Sequence, residues 1–371
     1  MAEAAEQPDR RIEKLFQIMV QKGASDLHLK DGEPPILRIQ GDLHVLKIEP
    51  LEDRQIRRLI YGILSKDQIA ALEDRGSIDI SYEFGENQRV RLAVYMQRGK
   101  VSVSSRWVKN TIPTFAELHL PVILGELALR RSGLTLVCGP TGCGKSTTLA
   151  AMIDHINHTS RCHILTIEDP IEYSYKDDKS IINQREIGID VPSWEAALKH
   201  MVRQDPDVVL IGEMRDPDTF AAGLTAAETG HMVFGTIHSS SATQTFTRVL
   251  EMFPEQKHKI VRQMLSSHLV AIIVQTLLPS CKPGVGLVPA VELMIANSAI
   301  RNLIMRGEDQ KIADVIPGSR EEGMQDITQA LASLVREELV LQQVALEYAP
   351  NRERLLMALR GISSDVGRIV G

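Results

Sequence analysis

The chain has 371 residues, 43% hydrophobic and 24% charged, with a net charge of -6. That length exceeds one small core and predicts two domains of ordinary globular composition. The acidic balance argues against a chain held by nucleic-acid backbone. No apolar run reaches the ~18 residues of a membrane span. The longest candidate, LVAIIVQTLLP (Leu269–Pro279), is short and interrupted by Gln275. The opening residues MAEAAEQPDRR are polar and acidic, unlike a signal peptide, so a cytoplasmic protein is expected. Cys138, Cys143, Cys162 and Cys281 form no C-x-x-C pair, so neither a zinc site nor a redox motif is predicted.

A small α+β unit is predicted over residues 1–108. IEKLFQIMVQKG reads as a helix ending at Gly23. DLHLK, PILRI and HVLKI read as short strands, with Gly41 and Asp42 turning between the last two. Two helices follow over 53–64 and 66–75. ISYEF and RVRLAVYMQ then alternate with period two, and VSVSSRWV follows. Residues 109–120 carry a proline and no period, and they read as a linker.

From residue 121 the pattern changes. The continuous apolar runs LTLVC, HILTI, VVLI and MVFGTI alternate with helical stretches. Such runs suit a parallel sheet covered on both faces, an α/β architecture. From about residue 254 to the end the chain is expected to be mostly helical.

Gly139, Pro140, Thr141, Gly142, Cys143, Gly144, Lys145 and Ser146 spell G-x-x-x-x-G-K-[ST], followed by Thr147. A strand precedes this stretch and a helix-compatible run follows, the context a phosphate-binding loop requires. Glycines let the backbone N–H groups turn inward as an anion nest, and the helix N-terminus adds its dipole. Lys145 is then placed for the β- and γ-phosphates, Ser146 for Mg²⁺, and Thr147 beside the α-phosphate. A guanine-reading N-K-x-D is missing, because the chain has no Asn-Lys pair, so ATP is favoured.

In open α/β sheets ligands sit at the carboxyl ends of strands. HILTI ends in Glu168 and Asp169, VVLI in Gly212 and Glu213, and MVFGTI in His238. Hydrolysis needs Mg²⁺ held, a water aligned and γ-phosphate charge stabilised. Glu213, after four apolar residues, fits a Walker B carboxylate acting on Mg²⁺ or on water, and Glu168 is the other candidate to polarise the water. His231 and His238 lie seven residues apart with a strand between them. At roughly 3.3 Å per residue they stand about 20 Å apart. They cannot both reach one γ-phosphate: His238 takes the nucleotide end, and His231 a packing or subunit contact. Arg89 and Arg91 share one face of their strand, opposite Val90, Leu92 and Val94, and Arg106 ends the next. They read either as a solvated face or as a charge clamp on a neighbouring subunit's phosphate.

With these motifs the chain resembles the type IV pilus retraction ATPases, the PilT/PilU group of the secretion-ATPase superfamily. ASDLHL, PPILRIQGDLHVL, GPTGCGKSTTLA, TIEDPIEY, DPDVVLIGEMRD, ETGHMVFGTIHSSSA, AIRNLIMRG and GMQDITQAL carry the likeness nearly end to end. The resemblance implies a PAS-like N-terminal domain and a RecA-like P-loop ATPase domain. It also implies a homohexamer that hydrolyses ATP with Mg²⁺, with neighbouring subunits meeting at each nucleotide. By position, Glu168 and Asp169 lie in its Asp box, Glu213 in Walker B, and His231 and His238 in its His box. Arg89, Arg91 and Arg106 match the arginines that approach the nucleotide. The implied activity is pilus retraction through an inner-membrane platform protein, from the cytoplasmic face of that membrane. Alternatives are an assembly or type II secretion ATPase, whose longer N-terminus and four-cysteine insert this chain lacks, and an accessory ring beside a paralogous motor. Arg98-Gly99, in a QRG sequence, is closer to PilU-like chains.

Overall fold

The structure is a computed structural model that describes residues 11–39, 41–85 and 88–361. The chain divides into two compact units. One runs to Thr111 and includes Glu172–Ser174; the other covers Ile112–Ile171 and continues from Tyr175.

The first unit is built on six strands: β1 (Asp26–Leu29), β2 (Ile36–Ile39), β3 (Asp42–Val45), β4 (Ser77–Phe84), β5 (Gln88–Gln97) and β6 (Lys100–Val108). They pair antiparallel in the order β3-β2-β1-β6-β5-β4. Period-two alternation gives the sheet one apolar face, with Leu27, Leu37, Val90, Leu92, Val94 and Val103 buried. The helix Arg11–Gln21 covers it through Ile12, Phe16 and Met19, spaced by one helical turn. The helix Asp53–Tyr61 adds Ile56 and Ile60. The opposite face is polar. One register row crosses all six strands and reads Ser81, Arg91, Arg106, Asp26, Arg38 and Leu43.

The second unit holds seven strands: β7 (Gly133–Cys138), β8 (His163–Glu168), β9 (Ile181–Glu186), β10 (Val208–Ile211), β11 (Met232–Ile237), β12 (Leu269–Pro279) and β13 (Leu287–Ile295). Their order is β13-β12-β7-β11-β10-β8-β9, all parallel except β13. Both faces are covered, which is why β7, β10 and β11 are buried along their whole length. Leu134, Leu136 and Cys138 face one core, and Val137 faces the other. Segment 112–120 packs into this unit: Leu120 is buried, and the Phe115 ring lies 5.4 Å from that of His155.

The region after residue 254 departs from the expected helices. It contains β12 and β13, and β12 completes the parallel sheet beside β7. Val270, Ile272, Ile273 and Val274 are β-branched and favour a pleated surface buried on both sides. Beyond β13 the chain is helical, and Ile327–Arg336 seats Leu331 and Leu334 against Leu278 and Val288.

Candidate nucleotide site

The loop after β7 has the geometry of an anion cradle. Gly139 has φ 141°, and a Cβ there would lie 2.5 Å from Cys143 Sγ and 2.5 Å from the Gln275 carbonyl oxygen, so only glycine fits. Gly144, at φ 89°, opens the helix Lys145–Thr159 as its N-cap. Lys145 Nζ donates to the carbonyl oxygens of Gly139 and Pro140, each at 3.0 Å, which keeps the ammonium in the mouth of the loop. Ser146 and Thr147 follow in the first helical turn, partly exposed, where the helix dipole favours phosphate.

β11 lies between β7 and β10, so the end of β11 separates the loop from the acid after β10. That end carries His238, whose Nε2 lies 3.1 Å from Glu213 Oε1. Arg215 Nε closes on the same oxygen, and this bond raises the affinity of the guanidinium for its proton. Glu213, Arg215, His238 and Arg248 line a cleft of about 340 Å³.

The acid turn is held from below. Met214 donates its N–H to the Thr236 carbonyl at 3.0 Å, and Thr236 Oγ1 donates to the Gly212 carbonyl at 2.6 Å. The Met214 side chain fills a notch left by Gly223 and Gly235, where added Cβ atoms would each meet Met214 Cε at 2.6 Å. Gly212 in turn allows close approach to β8, donating to the Ile167 carbonyl at 2.8 Å. Glu168 ends that strand nearly buried, and its Oε1 accepts from Thr166 Oγ1 at 2.7 Å and Gln184 Nε2 at 3.2 Å.

His231 stands at the opposite end of β11. Its Nδ1 lies 2.9 Å from the Ala226 carbonyl and 3.1 Å from Thr229 Oγ1, at the C-terminus of the helix Pro217–Glu228. The structure therefore brings His238 to Glu213 and leaves His231 apart from both.

In the first unit, Arg91 and Arg106 are register partners. Arg106 Nε donates to Asp26 Oδ1 at 2.8 Å, and Arg38 Nε is 4.0 Å from Asp26 Oδ2. The Asp26 side chain is only 6% exposed whereas that of Arg106 is 73% exposed, so a buried carboxylate orients an exposed guanidinium. Arg89 lies on the same face, opposite Glu83 of β4. Asp26, Gln184 and Arg215 are contributors that motif reading passed over. Arg215, two residues after Glu213 in GEMRD, was within reach of such a reading; Asp26 and Gln184 act on partners 80 and 16 residues away.

The insertion of β11 between the loop strand and the acid strand is the RecA-like arrangement, and it defines an ATP-hydrolysing P-loop enzyme that binds nucleotide. The chain belongs to the type II/IV secretion system protein family, which it matches over residues 2–310, and within it to the PilT/PilU group. It is 41% identical to the type IV pilus retraction ATPase PilT of Pseudomonas aeruginosa, over 91% of this chain and 98% of that one. It is 37% identical to the type IV pilus ATPase PilU of the same organism, over 96% and 94% of the two chains. A crystal structure of the pilus retraction motor PilT with bound ADP superposes with a TM-score of 0.85 at 42% identity, covering 92% of this chain and 98% of that one. No helix among the described residues is long and apolar enough to cross a membrane.

Proposed function

We propose that this protein is a homohexameric ATPase motor that powers type IV pilus retraction and twitching motility. The match to the retraction ATPase PilT over nearly the whole of both chains carries this reading. In it, Gly139, Pro140, Thr141, Gly142, Cys143 and Gly144 wrap the phosphates, Lys145 reaches the β- and γ-oxygens, and Thr147 flanks the α-phosphate. The Ser146 hydroxyl and the Glu213 carboxylate would supply oxygen donors of the kind that suit Mg²⁺, which prefers carboxylate, hydroxyl, water and phosphate oxygens. When bound, that ion would neutralise charge on the transferring phosphoryl group.

Glu168, fixed by Thr166 and Gln184, takes the role of polarising the attacking water, and His238 senses the γ-phosphate through Glu213. Arg89, Arg91 and Arg106 act on the nucleotide of a neighbouring subunit, and His231 serves a contact away from the nucleotide. The hexamer works on an inner-membrane platform protein at the cytoplasmic face. Deletion of the gene tests the reading. Piliated, non-motile cells support retraction, and bald cells point to assembly. A second reading, an accessory ring beside a paralogous retraction ATPase, is favoured by the match to PilU over 96% of the chain. Deletion would then leave motility intact as long as the paralogous ATPase is present.

A further inference from the structure

We propose that Glu292 is a positioning residue for ATP hydrolysis, holding the 238–242 turn so that His238 stays against Glu213. This inference rests on the nucleotide site described above.

Glu292 lies in β13, far in sequence from every motif of that site. Its Oε1 accepts the Ala242 N–H at 2.6 Å across 50 residues of chain. Ala242 opens the helix Ala242–Glu251, whose first N–H groups have no partners within the helix. Ser241 caps the third, accepting from Gln244 N–H at 3.1 Å, and Glu292 takes the first. Negative charge at this end also suits the helix dipole.

The turn is fastened at a second point. Ser239 Oγ and Thr245 Oγ1 are 2.7 Å apart and both residues are buried. Thr245 Oγ1 also reaches Cys138 Sγ at 3.6 Å. His238 therefore sits at the start of a five-residue turn fixed at Ser239 and Ala242.

The anchor is held in the sheet register. Glu292 pairs in register with Val274, Val274 with Cys138, and Cys138 with Ile237. The same row thus carries Glu292, the residue before the phosphate loop and the residue before His238. A carboxylate fixed to that row sets the height of the turn relative to both. Around it stand Asp326 and Arg354, themselves paired at 2.6 Å, with Ser241 and Thr243. Burial, and then Asp326, raise the Glu292 carboxyl above its ordinary range, while the Ala242 N–H opposes this.

The test uses the full-length protein and the variants Glu292→Ala, Glu292→Gln and Ala242→Pro, the Glu292 pair also with His238→Ala. Proline is tolerated at a first helical position and deletes the donor without touching Glu292. Turnover of Glu292→Ala and Ala242→Pro should fall about tenfold, as displacement of a reacting group does, with affinity for a fluorescent ATP analogue within about twofold. Glu292→Gln keeps an acceptor and should recover most of the turnover. In the His238→Ala background Glu292→Ala should add no further loss. Equal losses in both backgrounds overturn the proposal. Crystal structures of Glu292→Ala and Ala242→Pro decide independently: a His238 to Glu213 contact still at its present distance overturns it. Unchanged turnover of His238→Ala would instead refute the reading of the nucleotide site, and the crystallographic distance would still judge Glu292.

Discussion

His238 Nε2 lies 3.1 Å from Glu213 Oε1, and this contact joins the ends of two adjacent parallel strands, β11 and β10. His238→Ala should lower turnover by about 100-fold, the scale of losing a positioned proton-transfer or charge-stabilising group. Nucleotide affinity should hold, because the loop after β7 is untouched. Steady-state hydrolysis beside fluorescent-nucleotide titration checks both halves.

Gly235→Ala should strain the acid turn from beneath. The new Cβ would lie 2.6 Å from Met214 Cε and 2.7 Å from its Sδ. Overpacking of this kind costs about 1–3 kcal/mol. Thermal unfolding should show a lower midpoint, and in a Met214→Ala background, where the clashing atoms are gone, Gly235→Ala should lower the midpoint much less. An unchanged midpoint would mean that Met214 yields freely.

Asp26→Ala should mimic Arg106→Ala. Asp26 accepts from Arg106 Nε at 2.8 Å and is the buried member of the pair. If Arg106 serves a neighbouring site, each variant should lower turnover about tenfold while binding of nucleotide by single subunits stays intact. A loss for Arg106→Ala alone would show that Asp26 does not aim it.

The four thiols should react in a fixed order. Burial pushes Cys138 up to about 11 and raises Cys143 as well, so at pH 8 roughly one Cys138 in a thousand is thiolate. Cys281 is exposed. Peptide mass spectrometry after brief alkylation should find Cys281 modified first, Cys162 more slowly, and the buried pair Cys143 and Cys138 last.

Much of this was legible in the sequence because it is local. The four apolar runs that end in Gly139, Glu168, Glu213 and His238 were readable as strands, and their polar ends as one site edge. The alternation of Arg89 and Arg91 with Val90 and Leu92 assigns the two pairs to opposite faces of β5 from the sequence alone. Long-range pairing was not legible. β12 was met only as a short apolar run, because its place beside β7 depends on a partner more than 130 residues earlier. β9, with Asn183, Gln184 and Arg185 at a sheet edge, lacks the apolar signal of a buried strand. Asp26 and Glu292 escaped notice for a similar reason: a single acid in a strand reads as surface until its partner, Arg106 or Ala242, is brought to it.

The proposed function stands on ATP hydrolysis at the loop holding Lys145, whose Nζ lies 3.0 Å from the Gly139 and Pro140 carbonyls. Steady-state phosphate release by purified Lys145→Ala, beside the unaltered protein at saturating ATP and Mg²⁺, tests it most directly. Turnover should fall to background. Retained turnover in that variant would contradict the account.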